Sequence, residues 1–298
     1  MMASDSTLPA KGAAPRAAAR RKPYVLIRPV WALPAVLFLA MFFVLPLVHN
    51  FLRGFGGEAV GQSPWFYYAK LFTDIYYLGI LGETLRVSLV VTVACLVLGY
   101  PVAYFMVRHA GKWNALILFC LITPLLTSVI MRTFGWQVLL SRTGLLSQWL
   151  LSLGLIDRPV DLARQPIAVY IGLVHVLIPF MVLSIAAVLR GIDERLEESA
   201  RALGATKLGA FLRITLPLSL DGVATGCILV FVLTNGSFVT MLLLGGGRVV
   251  TLPLLIYQQF NLTQDTLFAS AMGNVLLVAA LICLVLQVRF IRRKGVKA

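Results

Sequence analysis

Charge is scarce in this chain, and acid is scarcer still: 13% of the 298 residues are charged, and 12 Asp and Glu stand against 26 Lys and Arg. A soluble domain devotes roughly a quarter of its residues to charge. With 59% hydrophobic residues and a mean hydropathy of +0.90, this chain is too apolar for that class. Cysteine is equally sparse. Cys95, Cys120, Cys227 and Cys283 each fall in a different apolar run without paired or metal-type spacing. They read as small buried apolar residues, and a disulfide framework or zinc site has little support. No G-x-x-x-x-G-K-[ST] stretch occurs, so the chain has no such loop to cradle nucleotide phosphates.

What is present is a set of apolar runs long enough to cross a bilayer. Trp31 to Phe51 is the first, followed by Thr84 to Val107, Ala115 to Val138, Ile167 to Leu189, Gly222 to Leu244 and Leu267 to Val288. At 1.5 Å per residue each covers roughly 30 Å of hydrocarbon. The expected fold class is an all-α integral membrane protein with six transmembrane helices. Residues 1–30 read as a disordered basic arm and 291–298 as a basic tail, with the membrane domain between them over 31–290. The alanines precede the first apolar run, unlike a cleavable signal peptide, so that run is expected to stay as a helix.

Six spans place both termini on one side. Putting the termini, the connection near Arg108 to Trp113 and the stretch Arg190 to Arg213 in the cytoplasm collects 18 of the 26 basic residues there. That bias follows the positive-inside rule. It also accounts for the net charge of +14 without nucleic acid, because the basic residues flank spans and are not interleaved with exposed aromatics.

The most specific stretch is polar: Glu198-Ser199-Ala200-Arg201-Ala202-Leu203-Gly204, with Ile214-Thr215-Leu216-Pro217 after nine intervening residues. Asp193 can cap a helix whose first turns carry Glu194, Glu197 and Glu198, where carboxylates meet the positive end of the backbone dipole. Leu196, Ala200 and Leu203 form a narrow apolar stripe, and Gly204 supplies the left-handed turn that ends the helix. A second short helix is expected from about Thr206 to Ile214, with Pro217 opening the next segment.

This pattern resembles the EAA coupling loop of ABC importer permeases: E-A-A, three residues, G, nine residues, I-x-L-P. It matches at Glu198, Ala200, Gly204, Ile214, Leu216 and Pro217, with Ser199 in place of the middle alanine. The resemblance implies a type I ABC importer permease in a bacterial inner membrane, moving a small organic solute. Its implied partners are ABC ATPase subunits, a second permease alike or different, an external solute-binding protein and membrane lipid. ATP and Mg would be bound by the ATPase, with no cofactor in this chain and no enzymatic activity of its own. Glu198 would then make polar contacts to the ATPase, Ala200 would allow close approach, and Gly204 would set the turn.

Arg132-Thr133-Phe134-Gly135-Trp136-Gln137 and Gly236-Ser237-Phe238-Val239, with Leu243 to Gly246, resemble the spermidine/putrescine branch of that family. A polyamine is the solute this implies, with an amino-acid-like compound or an organophosphonate as the alternative. Asn235, Ser237, Thr240 and Trp136 are candidates for the substrate path. Small polar residues in an apolar helix equally serve close packing between helices, and the residues alone leave both readings open. Asn274 tilts toward packing, and Arg132 is expected to snorkel to the outer surface. A secondary transporter driven by an ion gradient is the runner-up class. It would be expected to carry intramembrane ionisable residues or broken helices in matched halves, and neither is evident: His175, within the fourth run, has no acidic partner in a span interior.

Overall fold

The computed structural model describes residues 33–57 and 61–295, so the basic arm expected over 1–30 lies outside the described residues. Every regular element among the described residues is helical. α1 (Leu33–Leu39) passes through a π-helical turn, Ala40–Val44, into α2 (Leu45–Arg53). α3 (Phe66–Thr73) precedes α4 (Ile75–Arg108), and a bent unit follows, α5 (Asn114–Leu126) with α6 (Val129–Leu140). α7 (Leu145–Ser152) leads to α8 (Pro166–Leu189). The polar stretch supplies α9 (Arg195–Ala202) and α10 (Lys207–Ala210), a second π turn, Phe211–Thr215, and α11 (Leu216–Leu218). α12 (Leu220–Asn235), α13 (Val239–Leu244), α14 (Leu252–Asn261) and α15 (Thr266–Gly295) complete the chain.

Both π turns stand immediately before a Leu-Pro pair, Leu45-Pro46 and Leu216-Pro217. Proline has no N–H to give and its ring crowds the carbonyl four residues back, so a widened turn relieves the clash while the helix continues. The described residues fall into two compact units divided between Leu47 and Val48. In the first, large apolar side chains such as Leu37, Phe38, Phe42, Phe43 and Leu45 are exposed.

Among the described residues, four helical segments are long and apolar enough to cross a bilayer unbroken: Val36–Arg53, Ile75–Arg108, Pro166–Leu189 and Thr266–Leu286. Two bent pairs bring the number to six. The third expected span, Ala115 to Val138, is one of these pairs: it breaks at Thr127 and Ser128, and the two arms meet at 103°. Pro124 near the end of α5 weakens the helix there, and both break residues take extended ψ angles.

The fifth expected span, Gly222 to Leu244, also differs. Its helix stops at Asn235, and the bent apolar pair is Lys207–Leu218 with Leu220–Asn235, at 62°. The segment from Lys207 therefore belongs to this bent pair, while Val239–Leu244 is a separate short helix. α4 begins nine residues earlier than the expected span because Asp74 caps it, its carboxylate accepting the Tyr76 N–H at 2.9 Å. At 34 residues α4 is about 51 Å long, more than the hydrocarbon requires. α15 likewise runs on to Gly295, into the segment expected as a tail. Among the cysteines, Cys120 is exposed on α5, against the expectation of burial.

The second unit is centred on α4, α8 and α12, which pack more extensively on one another than any other helices. Met181 of α8 lies fully buried at their junction, and glycines on both partners make room for it. A Cβ at Gly99 of α4 would stand 3.1 Å from Met181 Cγ; one at Gly226 of α12 would stand 2.6 Å from Met181 Sδ and 3.4 Å from its Cα. A separate apolar cluster joins α3, the start of α4, α14 and α15 through Tyr67, Leu71, Ile80, Leu252, Leu255, Phe268 and Met272. Asn274 has the packing role expected of it: its amide donates to Phe51 O at 3.0 Å and to Tyr68 Oη at 2.8 Å.

Gly226→Leu should therefore force α12 away from α8 and cost about 1–3 kcal/mol, the usual penalty for overpacking. The check is thermal unfolding of the detergent-solubilised protein, where an unchanged midpoint would contradict the close approach.

Candidate functional site

Asp193 opens α9 by accepting the Arg195 N–H at 3.0 Å, and Glu197 and Glu198 sit in its first turn. The helix ends in a full Schellman closure. Ala205 N–H bonds to Ala200 O at 3.0 Å and Gly204 N–H to Arg201 O at 3.0 Å, with Gly204 at φ +95°. Nothing lies within 4 Å of where a Gly204 Cβ would be, so glycine is needed here for its backbone angle and not for space. After the turn Thr206 caps α10, its hydroxyl accepting the Gly209 N–H at 3.1 Å.

The stretch divides into two halves with opposite surroundings. Glu198, Ser199 and Gly204 are exposed and Ala200 is half-buried. Leu203, 90% exposed, and Leu208, 67% exposed, project on either side of the turn, and Leu196 is also uncovered. Ile214 and Leu216 are half-buried, with Leu216 packed against the main core, while Thr215 between them is fully buried; Pro217 itself is exposed. One half of the stretch is thus anchored and the other is free to meet a partner.

The anchor is a set of polar contacts that the pattern of apolar runs did not disclose. Tyr100, Tyr104 and Arg108 follow at i, i+4 and i+8, one above another on a single face of α4. Tyr100 Oη shares a hydrogen bond of 2.8 Å with Ser219 Oγ at the bend before α12. Tyr104 Oη donates to Glu197 Oε2 at 3.1 Å, and Thr215 Oγ1 donates to Glu197 Oε1 at 2.5 Å. Arg108 donates to Glu194 Oε1 at 3.1 Å and to Ile192 O at 3.0 Å, with its Nε 3.6 Å from Glu197 Oε1. Its side chain is only 6% exposed, and that of Glu197 only 18%. Phe211 in the π turn packs edge-on against both tyrosine rings. The four-residue spacing of Tyr100, Tyr104 and Arg108 was the available signal for this face.

The four candidate path residues do not form one constellation. Asn235 and Ser237 flank Gly236, where α12 stops. The Asn235 amide donates to Phe231 O at 2.9 Å, closing its own helix, and Ser237 is half-buried with its N–H on Thr234 O at 3.0 Å. Thr240 is buried where α13 meets α8; a Cβ at Gly172 would come within 3.1 Å of its methyl group. Trp136 on α6 donates its indole N–H to His175 Nδ1 of α8 at 3.2 Å. Arg132, expected to snorkel, is half-buried. Its guanidinium donates to the Pro124 carbonyl across the α5–α6 break, which it thereby helps to satisfy.

Comparison with known proteins gives one consistent answer. Residues 13–296 match the sequence model of the binding-protein-dependent transport system inner membrane component. The spermidine/putrescine transport system permease protein PotB of Escherichia coli K12 is 39% identical over 211 residues, covering 71% of this chain and 76% of that protein. PotB of Haemophilus influenzae is 36% identical over 217 residues, covering 72% and 76%. Among solved structures, a bacterial alginate ABC transporter in complex with an alginate pentasaccharide-bound periplasmic protein contains a chain of the same fold. It superposes with a TM-score of 0.75 at 19% identity, over 89% of this chain and 93% of that one. The helices have the type I importer permease fold, and the chain belongs to the inner-membrane components of binding-protein-dependent transport systems, the permease subunits of ABC importers.

Proposed function

We infer that this permease serves an importer of small polyamines and that α9 is the helix on which an ATPase subunit docks. The observation that carries the docking reading is the free half of the polar stretch, where Gly204 turns the chain so that Leu203 and Leu208 stand uncovered on either side. An exposed apolar pair on a short charged helix fits a partner groove, as amphipathic helices do elsewhere. In this reading Glu198 and Ser199 meet the ATPase through polar contacts, Ala200 permits close approach, and Ile214, Leu216 and Pro217 lead the displacement into α12. The ATPase pair binds ATP and Mg, a second permease completes the pathway, and an external binding protein delivers the solute. The docking end and both termini face the cytoplasm, in keeping with the basic residues that cluster there.

The polyamine assignment is supported by the named substrates of the relatives at 39% and 36% identity. α4 and α12 carry their acids near an end, Glu83 and Asp221, away from the middle of the helix. Recognition of a polyamine's positive charge is therefore assigned to the binding protein or to the companion permease. The interruption between α12 and α13, with Ser237 beside it, and the half-buried Trp136 contribute to the solute path. Asn235 and Thr240 hold its walls.

Two outcomes follow. Gly204→Asp puts a side chain on a backbone at φ +95°, costing about 1–2 kcal/mol of local strain, and adds charge at the docking turn. The variant should accumulate in the membrane and lose solute uptake; uptake at the parent level would defeat the docking proposal. For the substrate, the complete complex in liposomes should hydrolyse ATP faster when its binding protein is loaded with spermidine or putrescine. Stimulation by an amino-acid-like compound or an organophosphonate in place of either would reassign the solute and keep the class.

A further inference from the structure

We propose that Glu197, the residue before the docking carboxylate Glu198, is the positioning residue that transmits movement of α9 to the membrane helices. This rests on the reading of α9 as the ATPase-docking helix and deepens it. Glu197 and Glu198 are neighbours in sequence with opposite fates. Glu198 is exposed, whereas the Glu197 side chain is turned inward and is 18% exposed.

Its two oxygens join three segments that are distant in sequence. Oε2 accepts from Tyr104 in the last turns of α4, and Oε1 accepts from Thr215 in the π turn that leads to α12. The guanidinium of Arg108, buried beside it, lies 3.6 Å from the same Oε1 and is fixed in turn by Glu194 and the Ile192 carbonyl. A displacement of α9 therefore pulls on α4 and on the lead-in to α12 through one carboxylate.

The arrangement is stiff for physical reasons. Hydrogen bonds to a charged acceptor are the stronger kind, and a buried Arg108 that lost Glu197 would keep only Glu194, whose side chain is 60% exposed, as its counter-charge. Thr215, with no exposed surface, cannot exchange its bond to Glu197 for one to bulk water without the π turn opening. Small movements of α9 are thus passed on as movements of whole helices, as packed polar networks with discrete arrangements allow.

The test compares Glu197→Ala with Glu198→Ala in the complete complex of permeases, ATPase and binding protein reconstituted in liposomes. Glu197→Ala should keep the ATPase bound and basal hydrolysis running, while solute moved per ATP falls about tenfold, a typical size for a coupling free energy. Glu197→Gln, which keeps an acceptor oxygen, should retain more of that ratio. Glu198→Ala should act on retention of the ATPase instead. An unchanged ratio in Glu197→Ala overturns the proposal, as does loss of the ATPase from that variant, which would make Glu197 a docking residue. If Glu197→Ala does not accumulate, Tyr104→Phe and Thr215→Val each remove one donor to the carboxylate. Both should lower the ratio, and no change in either overturns the proposal. Failure of the docking reading is separate, since the parent complex would then hold no ATPase.

Discussion

The constraint on which the structure depends is that backbone N–H and C=O groups inside hydrocarbon have no water to turn to. A helix satisfies them automatically, so the informative places are where the helices stop. At Thr127 and Ser128 the carbonyl of Pro124 is released, and it receives both the Thr127 hydroxyl at 3.0 Å and the Arg132 guanidinium. At Gly236 the Asn235 amide reaches back to Phe231 O, while the N–H groups of Gly236 and Ser237 take Val232 O and Thr234 O. Arg132 and Asn235 are polar residues in apolar surroundings: Arg132 satisfies a carbonyl that the break has opened, and Asn235 spends its amide on a carbonyl of its own helix one turn back. Burial of a polar group in such a place is costly unless it is paired, and here the break and its polar neighbour answer one another.

The same economy sets how helices are joined. Thr84, Ser88 and Thr92 are buried one turn apart on α4, each bonding to the carbonyl four residues back, so none presents an unsatisfied hydroxyl to its neighbours. Thr84 goes further and accepts the Leu252 N–H at 2.8 Å, supplying a cap that α14 lacks from its own preceding residue. Tyr100, Tyr104 and Arg108 continue this habit at the far end of α4, where their side-chain partners are Ser219 before α12 and Glu197 and Glu194 of the polar stretch. α4 thus carries small self-satisfied hydroxyls along its earlier turns and long reaching groups at its end. The long groups tie the polar stretch to the bundle, as Thr84 ties the start of α14.

The membrane class, the approximate positions of the apolar runs and the polar stretch were legible because each depends on local composition or on spacing along one strand of sequence. Gly204 could be read as a left-handed turn, since a helix ending at that point has few other ways to stop, and its φ of +95° agrees. The breaks were legible only in part. Pro124 and Gly236 were visible, but a proline or glycine in an apolar helix is often tolerated, and what decides is whether a side chain elsewhere can satisfy the freed groups. Glu197 was harder still. Read locally it is one acid among three in the first turn of a charged helix, suited to the dipole, and nothing in that setting separates it from Glu198. Its partners lie 93 and 18 residues away, at Tyr104 and Thr215.

That difference bears on how a permease can be both strongly held and movable. Apolar contact alone between α9 and the bundle would allow sliding, because dispersion has little directional preference. A buried ion pair with hydrogen bonds on both sides does not slide, since any change of register leaves charge without its partner. Placing the directional contacts at Glu197 and Arg108, and leaving Leu203 and Leu208 bare on either side of the glycine turn, separates the two demands. The uncovered surface at the turn is apolar, whereas the attachment to α4 and to the lead-in of α12 is polar and directional. The residue next to the exposed carboxylate has to be acidic as well, for a reason unrelated to the partner: it faces the other way, into a site that already contains a buried cation.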